Sequence, residues 1–224
     1  MIVYCSSDWH CRPQGLRKPV KQFIRKARVD ADLIVGDGDL FDLMEYPWEE
    51  FVNCKAVQEF DEELEGKRFI YVAGNHDPAK YIRKIIAIPN VEIMHREFRA
   101  NLDETTYHFT HGHQWGFWWS WLHHLSDMLI VVAPCIYHWW LNTKSPRRAR
   151  ERGEREKYNL LTGRVHSRAS QFAEQNNIIV VIGHTHKPWV AGDWQSRIMY
   201  DDGDMLDSRT YLRIEDGKVA TLRL

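Results

Sequence analysis

The chain has 224 residues, 44% of them apolar and 27% charged, and a formal net charge of −1. At roughly 150 residues per domain this length means one or two domains, enough to bury a sizeable core. The near-neutral balance argues against a general polyanion partner and leaves local basic patches to consider.

Short apolar runs recur along the chain, most ending in a polar cluster. Ile2–Ser6 leads into Asp8-Trp9-His10, and Asp32–Gly36 into a cluster of Asp and Gly. Phe69–Ala73 leads into Gly74-Asn75-His76-Asp77, and Thr105–Thr110 into His111-Gly112-His113. Ile178–Ile182 leads into Gly183-His184-Thr185-His186. Each run reads as a buried strand followed by a turn. Helical periodicity is clearest over Val20–Val29 and Trp48–Glu65. Alternating strands and helices predict an α/β sheet protein, in which ligands gather at the carboxyl ends of strands. The tail differs, with strands expected at Arg197–Tyr200, Arg209–Glu215 and Lys218–Leu222. The last two are joined by a hairpin at Asp216-Gly217.

Between His113 and Gly183 lie roughly 70 residues, far more than the 10–12 or so that a crossover needs. The expectation is a single domain over 1–224 with a helical cap insertion at about 115–170. Trp115–Trp140 is aromatic, and Lys144–Arg168 carries nine Lys/Arg against three Glu. Three readings fit the insertion. One is a hairpin burying its Trp against the core, the second a cap for lipid and phosphate, the third a basic groove for nucleic acid. Cys5, Cys11, Cys54 and Cys135 form no CxxC pair, so reduced thiols of a cytoplasmic protein are expected. The strand-like run at Ile2–Ser6 is not expected to be a signal peptide, and no apolar run reaches 18 residues, so no membrane span is expected. The insertion would allow peripheral contact at the inner membrane surface.

The polar clusters offer Asp8, His10, Asp39, Asn75, His111, His184 and His186, a mixed oxygen and nitrogen donor set without thiol. That set suits divalent Mn, Fe, Co, Zn or Ni and is too large for one ion. Two ions about 3.5–4 Å apart, sharing one carboxylate, would polarise a phosphoryl group and activate water. Asp-x-His or Gly-Asn-His-Asp alone is usually an ordinary turn or loop, and Gly-His-Thr-His alone fits either reading; their joint occurrence, each after a strand, is the signal.

The order D-x-H, G-D-x-x-D, G-N-H-D, H-G-H, G-H-x-H resembles the calcineurin-like metallophosphoesterases. Gly36-Asp37-Gly38-Asp39 offers two registers, and only Asp39 has a second Asp three residues on, Asp42. The resemblance implies a four-layer α-β-β-α sandwich and a dinuclear metal centre, with manganese the first expectation. It implies one ion on Asp8, His10, Asp39 and His186 and the other on Asp39, Asn75, His111 and His184. It makes His76 the proton donor or phosphate contact, oriented by Asp42, and leaves His113 as either a helper or a structural residue. Arg12 and Lys187 adjoin the metal motifs and are candidate substrate contacts, with plain surface charge the competing reading.

Leu43-Met44 follows Asp42 where protein phosphatases of the family carry Arg-Gly, which disfavours that activity. The helical insertion and the tail Tyr200-Asp201-Asp202-Gly203-Asp204 resemble the UDP-2,3-diacylglucosamine pyrophosphohydrolase-like branch. Well-studied members of that branch carry Arg where this chain has His76. The expected substrate is therefore a phosphate ester or lipid-linked nucleotide diphosphate, the alternative being a nuclease or cyclic-nucleotide phosphodiesterase.

Overall fold

The computed structural model describes residues 1–115, 152–192 and 198–224. The Trp-rich stretch beyond Trp115, residues 144–151 of the basic stretch and Arg197 lie outside the described residues. The first sheet takes β1 (Val3–Ser6), β2 (Leu33–Asp37), β3 (Phe69–Val72) and β4 (Val91–Met94) in parallel. These are connected by α1 (Lys18–Asp30), α2 (Lys55–Leu64) and α3 (Ala79–Ile85). The second sheet contains β5 (Phe98–Leu102), β6 (Thr105–Phe109), β7 (Ile179–Ile182), β8 (Trp189–Ala191) and β9 (Met199–Asp201), in the order β5-β6-β7-β9-β8. The long α4 (Arg155–Asn176) precedes β7. The chain then returns to the first sheet as the hairpin β10 (Thr210–Glu215) and β11 (Lys218–Arg223), with β10 antiparallel to β1.

Side-chain alternation builds the layers. Val3 and Cys5 of β1 face the second sheet, while Tyr4 between them faces the helices. Strands buried on both faces read as continuous apolar runs, which is why β1, β2, β3 and β7 are visible in the sequence. In α1, Val20, Phe23, Ile24 and Ala27 form one buried stripe at helical spacing. They pack with Phe60 and Leu64 of α2 on the outer face of the first sheet. On the other side, Val165, Ala169 and Ala173 of α4 pack on Val180, Ile182 and Met199 of the second sheet. The result is the expected α-β-β-α sandwich.

Two local readings change. The helix expected over Trp48–Glu65 is a 3-10 turn, Trp48–Phe51, followed by α2. Asn53 adopts a left-handed φ of 57°, which short polar side chains tolerate and a continuous helix does not. Residues 155–170 of the expected insertion belong to α4, an outer layer of the sandwich. Strands β4, β5 and β8 and helix α3 escape the sequence reading because they are short or only half-buried. Among the described residues no helix is long and apolar enough to cross a membrane, and Cys5, Cys11 and Cys54 are free thiols.

Candidate metal centre

The parallel strands of each sheet end at a common edge, and the loops beyond them carry the polar clusters. After β1, Asp8 and His10 take φ of 53° and 44°, with Trp9 between them. This zigzag sends the two ligand candidates one way and Trp9 the other. The Trp9 ring packs against Phe23, Phe60 and Phe69 at 5.9, 6.1 and 5.9 Å between centroids. Backbone bonds from Asp8 N to Gly38 O (3.0 Å) and His10 N to Asp39 O (2.9 Å) bind this loop to the one after β2. Asp39, His184 and His186 also sit in the left-handed region, at φ of 55°, 67° and 57°. Such backbone is uncommon for residues other than Gly, and its concentration here marks a site held under constraint.

Gly74 and Gly183 allow the loops to approach this closely. A Cβ on Gly74 would stand 2.0 Å from Asp39 Oδ1, and one on Gly183 2.0 Å from Ser7 Oγ.

The seven expected ligands converge. His186 Nε2 and His10 Nε2 lie 3.1 and 3.6 Å from Asp8 Oδ1. His111 Nε2 lies 3.2 Å from Asp39 Oδ2 and 3.1 Å from Asn75 Oδ1. The His184 ring centroid is 5.1 Å from that of His111. Asp8 and Asp39 share one arrangement. Asp8 Oδ2 accepts the His184 backbone N–H (2.8 Å) and Asp39 Oδ1 the His76 backbone N–H (2.8 Å), leaving the other oxygen of each turned to imidazoles. Asp8, His10 and His186 form one group of close donor atoms, and Asp8, Asp39 and His111 another.

Charge is distributed in opposition. Burial would raise the Asp8 carboxyl, but His186 and hydrogen bonds from His10 and His186 hold it well below the usual range. Burial likewise opposes the charge on Asp39, and His111 and His76 overcome it and hold that carboxyl well below its ordinary range. Burial alone would lower His111, yet Asp39 raises it well above normal. His186 is pushed up to about 9 by Asp8 and Asp204 against burial. His184 moves the other way, lowered well below normal by burial and by the charges of His111 and His113. Buried carboxylates, an amide oxygen and imidazoles with no thiol fit divalent first-row ions, whose binding would displace the imidazolium protons.

The remaining candidates are placed as follows. His76 Nδ1 is 2.9 Å from Asp42 Oδ1, and its Nε2 is 3.9 Å from Asp39 Oδ2. The His113 ring lies 5.6 Å from His111 and 6.2 Å from His184. Arg12 pairs with Glu45 at 3.4 Å, and Lys187 lies over the Trp189 ring at 5.7 Å.

Several supporting residues escape a motif search. Asp204 Oδ2 is 3.3 Å from His186 Nδ1, while its Oδ1 accepts three backbone N–H groups, of Leu206, Asp207 and Ser208. His111 Nδ1 is 2.8 Å from the Asp37 carbonyl oxygen. Asp77 ties Tyr71 O–H and the backbone N–H groups of Phe41 and Gly74 together beneath Asp39. Asp201 Oδ2 accepts Thr185 Oγ1–H (2.6 Å) and lies 2.9 Å from His166 Nε2, linking α4 to the His184–His186 loop. The available signal for Asp201 and Asp204 was the tail Tyr200-Asp201-Asp202-Gly203-Asp204, which closes and follows β9.

Residues 1–188 match the family described as calcineurin-like phosphoesterase. No curated protein matches the chain. Among solved structures, Yfce, a phosphoesterase from E. coli, is similar in fold at a TM-score of 0.51. It has 16% identity, with 99% of this chain and 98% of that chain covered. A novel archaeal phosphodiesterase matches with 14% identity over 100% of both chains, at a TM-score of 0.49. A Vps29 single mutant from Entamoeba histolytica matches with 14% identity over 100% of this chain and 98% of that one, at 0.48.

Proposed function

We propose, from the premise that this chain belongs to the calcineurin-like phosphoesterase family, that it hydrolyses a phosphate ester or diphosphate with two divalent cations held between its sheets. The observation that carries this reading is the place of Asp39 Oδ2. It faces His111 Nε2 at 3.2 Å, His76 Nε2 at 3.9 Å and His10 Nε2 at 4.0 Å. One carboxylate thus looks onto both groups of imidazoles, as a bridging ligand must. Asp8, His10, Asp39 and His186 would hold one ion, and Asp39, Asn75, His111 and His184 the other. When bound, the two ions polarise the phosphoryl group and make water nucleophilic near neutral pH.

The chain's own groups do the rest. Asp8 and Asp39 place negative charge where the cations sit, and their backbone-held oxygens keep the free ones aimed inward. His76 gives a proton from Nε2 to the leaving oxygen, and Asp42 at Nδ1 orients the ring and stabilises its charged form. The His76 side chain is 11% exposed, so it can regain a proton from solvent.

A cleft of about 230 Å³ beside Gly74 supports a substrate class. His95 and Arg96 line one part of it, Trp115 and Phe172 another. Arg96, with Glu97 beside it, and the apolar Trp115 and Phe172 offer one contact for a phosphate and one for an apolar group, which suits a diphosphate bearing an apolar group. A lipid-linked nucleotide diphosphate resembling UDP-2,3-diacylglucosamine is the substrate we propose, with manganese as the ion. A cytoplasmic location, with the part of the insertion that precedes α4 at the inner membrane surface, goes with that reading.

The test is a panel assayed with Mn²⁺-loaded protein: a UDP-linked diacyl sugar, single-stranded DNA, a cyclic dinucleotide and bis(p-nitrophenyl) phosphate. UMP release from the first substrate is expected. Cleavage of DNA or cyclic dinucleotide alone assigns a nuclease or cyclic-nucleotide phosphodiesterase instead. Failure on all four with both ions bound removes the hydrolytic reading.

A further inference from the structure

A second set of metal-ligating side chains, unused by the hydrolytic chemistry, lies in the layer between the sheets. Cys5 on β1, Asp37 at the end of β2 and Asp202 just after β9 are all fully buried. Cys5 is paired in register with Val35, so Asp37, two residues on from Val35, shares its inter-sheet face. One donor atom from each of the three lies within 4.8 Å of the others. Cys5 Sγ is 3.5 Å from Asp202 Oδ2, and Asp202 Oδ1 accepts Ser7 Oγ–H at 2.5 Å.

Asp37 makes this more than a group of acids. Both its carboxyl oxygens are buried without a hydrogen-bond partner. The layer between the sheets that they share includes Val3, Val35, Ile70, Val72 and Leu212, and the charges of His111, Asp8 and Asp201 also bear on Asp37. A fully buried carboxyl without a hydrogen-bond partner is costly unless something coordinates it. Asp37 is also the acid of Gly36-Asp37-Gly38-Asp39 that the hydrolytic centre leaves unassigned.

We propose that Cys5, Asp37 and Asp202 form a third metal site, for a single divalent cation of the zinc and cobalt class. A thiolate selects such ions over magnesium or calcium, and the two carboxylates supply hard donors. A divalent ion cancels two of the three negative charges the cluster can carry. Its ligands come from β1 and β2 of the first sheet and from the segment after β9 of the second. The bound ion therefore clamps the two sheets behind the hydrolytic centre, and through Ser7 it steadies the turn that carries Asp8.

The proposed hydrolytic ligands include no sulfur, so a spectroscopic probe separates the two sites without any activity measurement. Metal-free full-length protein is titrated with Co²⁺ while thiolate-to-cobalt charge transfer is followed in the near ultraviolet. At saturation the expected band has the amplitude of one thiolate-bound Co²⁺ per chain; it is absent in Cys5→Ser and persists in Asp39→Asn. In Asp37→Asn the affinity read from the band falls on the order of tenfold or more. Wild-type protein that binds cobalt with no such band overturns the proposal, and the cluster then holds protons only. A band that survives Cys5→Ser overturns it too. The wild-type titration decides the matter even where a variant fails to fold.

Discussion

The two sheets contribute unequally to the candidate metal centre. Loops of the first sheet bring Asp8, Asp39 and Asn75, all the oxygen donors, and one imidazole, His10. Loops of the second bring imidazoles alone, His111, His184 and His186. Neither sheet therefore carries the full centre, and the site exists only where they pack. The layer between them, including Val35, Val72, Phe109 and Val181, is as much part of the centre as the ligands are.

The largest effect is expected where the two contributions meet. Asp39→Ala should bring turnover to background with loss of bound metal, read by activity and metal content together. Full activity would mean that the sheets do not share this carboxylate. His76→Ala comes next. Its rate should fall by about 10²–10⁴-fold with both ions retained, because a proton donor is lost and no proposed ligand. Loss of both ions on metal analysis would move His76 into the ligand set.

Phe109→Ala tests the packing itself. A fully buried Phe at the sheet–sheet layer should cost about 3–5 kcal/mol in denaturant unfolding. Metal affinity should weaken with it, and unchanged affinity would show that the two ligand sets do not depend on this layer. Asp204→Asn removes charge behind His186 and should lower metal affinity by about 10–100-fold with little change in the fold. Isothermal titration with Mn²⁺ reads this directly.

The smallest effect belongs to Glu63→Gln, outside both ligand sets. The hydrogen bond from Arg25 outweighs burial and lowers the Glu63 carboxyl. Its stabilisation is therefore present above the ordinary glutamate pKa of about 4.3 and is lost as pH falls through the lower folded value. The variant should show a slight loss of stability at neutral pH that vanishes in acid, with metal content unchanged.

The ligand motifs were legible because each follows a strand, most of them read from an apolar run buried on both faces. The supporting shell was not, since its contacts join distant parts of the chain. The His184 backbone N–H donates to Asp8 across 176 residues, and Ser7 to Asp202 across 195. Asp204 was visible only through a resemblance in the tail, and nothing local announces that His166 of α4 reaches Asp201. The break at Asn53 escaped because a left-handed residue between two apolar periodicities leaves the periodic pattern nearly intact.

The amino-acid order alone determined which side chains are available as donors, that each follows a strand, and that Asp39 and Asp42 share a turn. These are short-range properties, set by side-chain chemistry and backbone preference. Only the tertiary structure decided that oxygens from one sheet meet nitrogens from the other. It also decided which oxygen of Asp8 and of Asp39 faces inward, and that Cys5, Asp37 and Asp202 share one buried layer. The reason is physical: those placements come from packing two sheets across an apolar interface, and no local pattern encodes the distance between them.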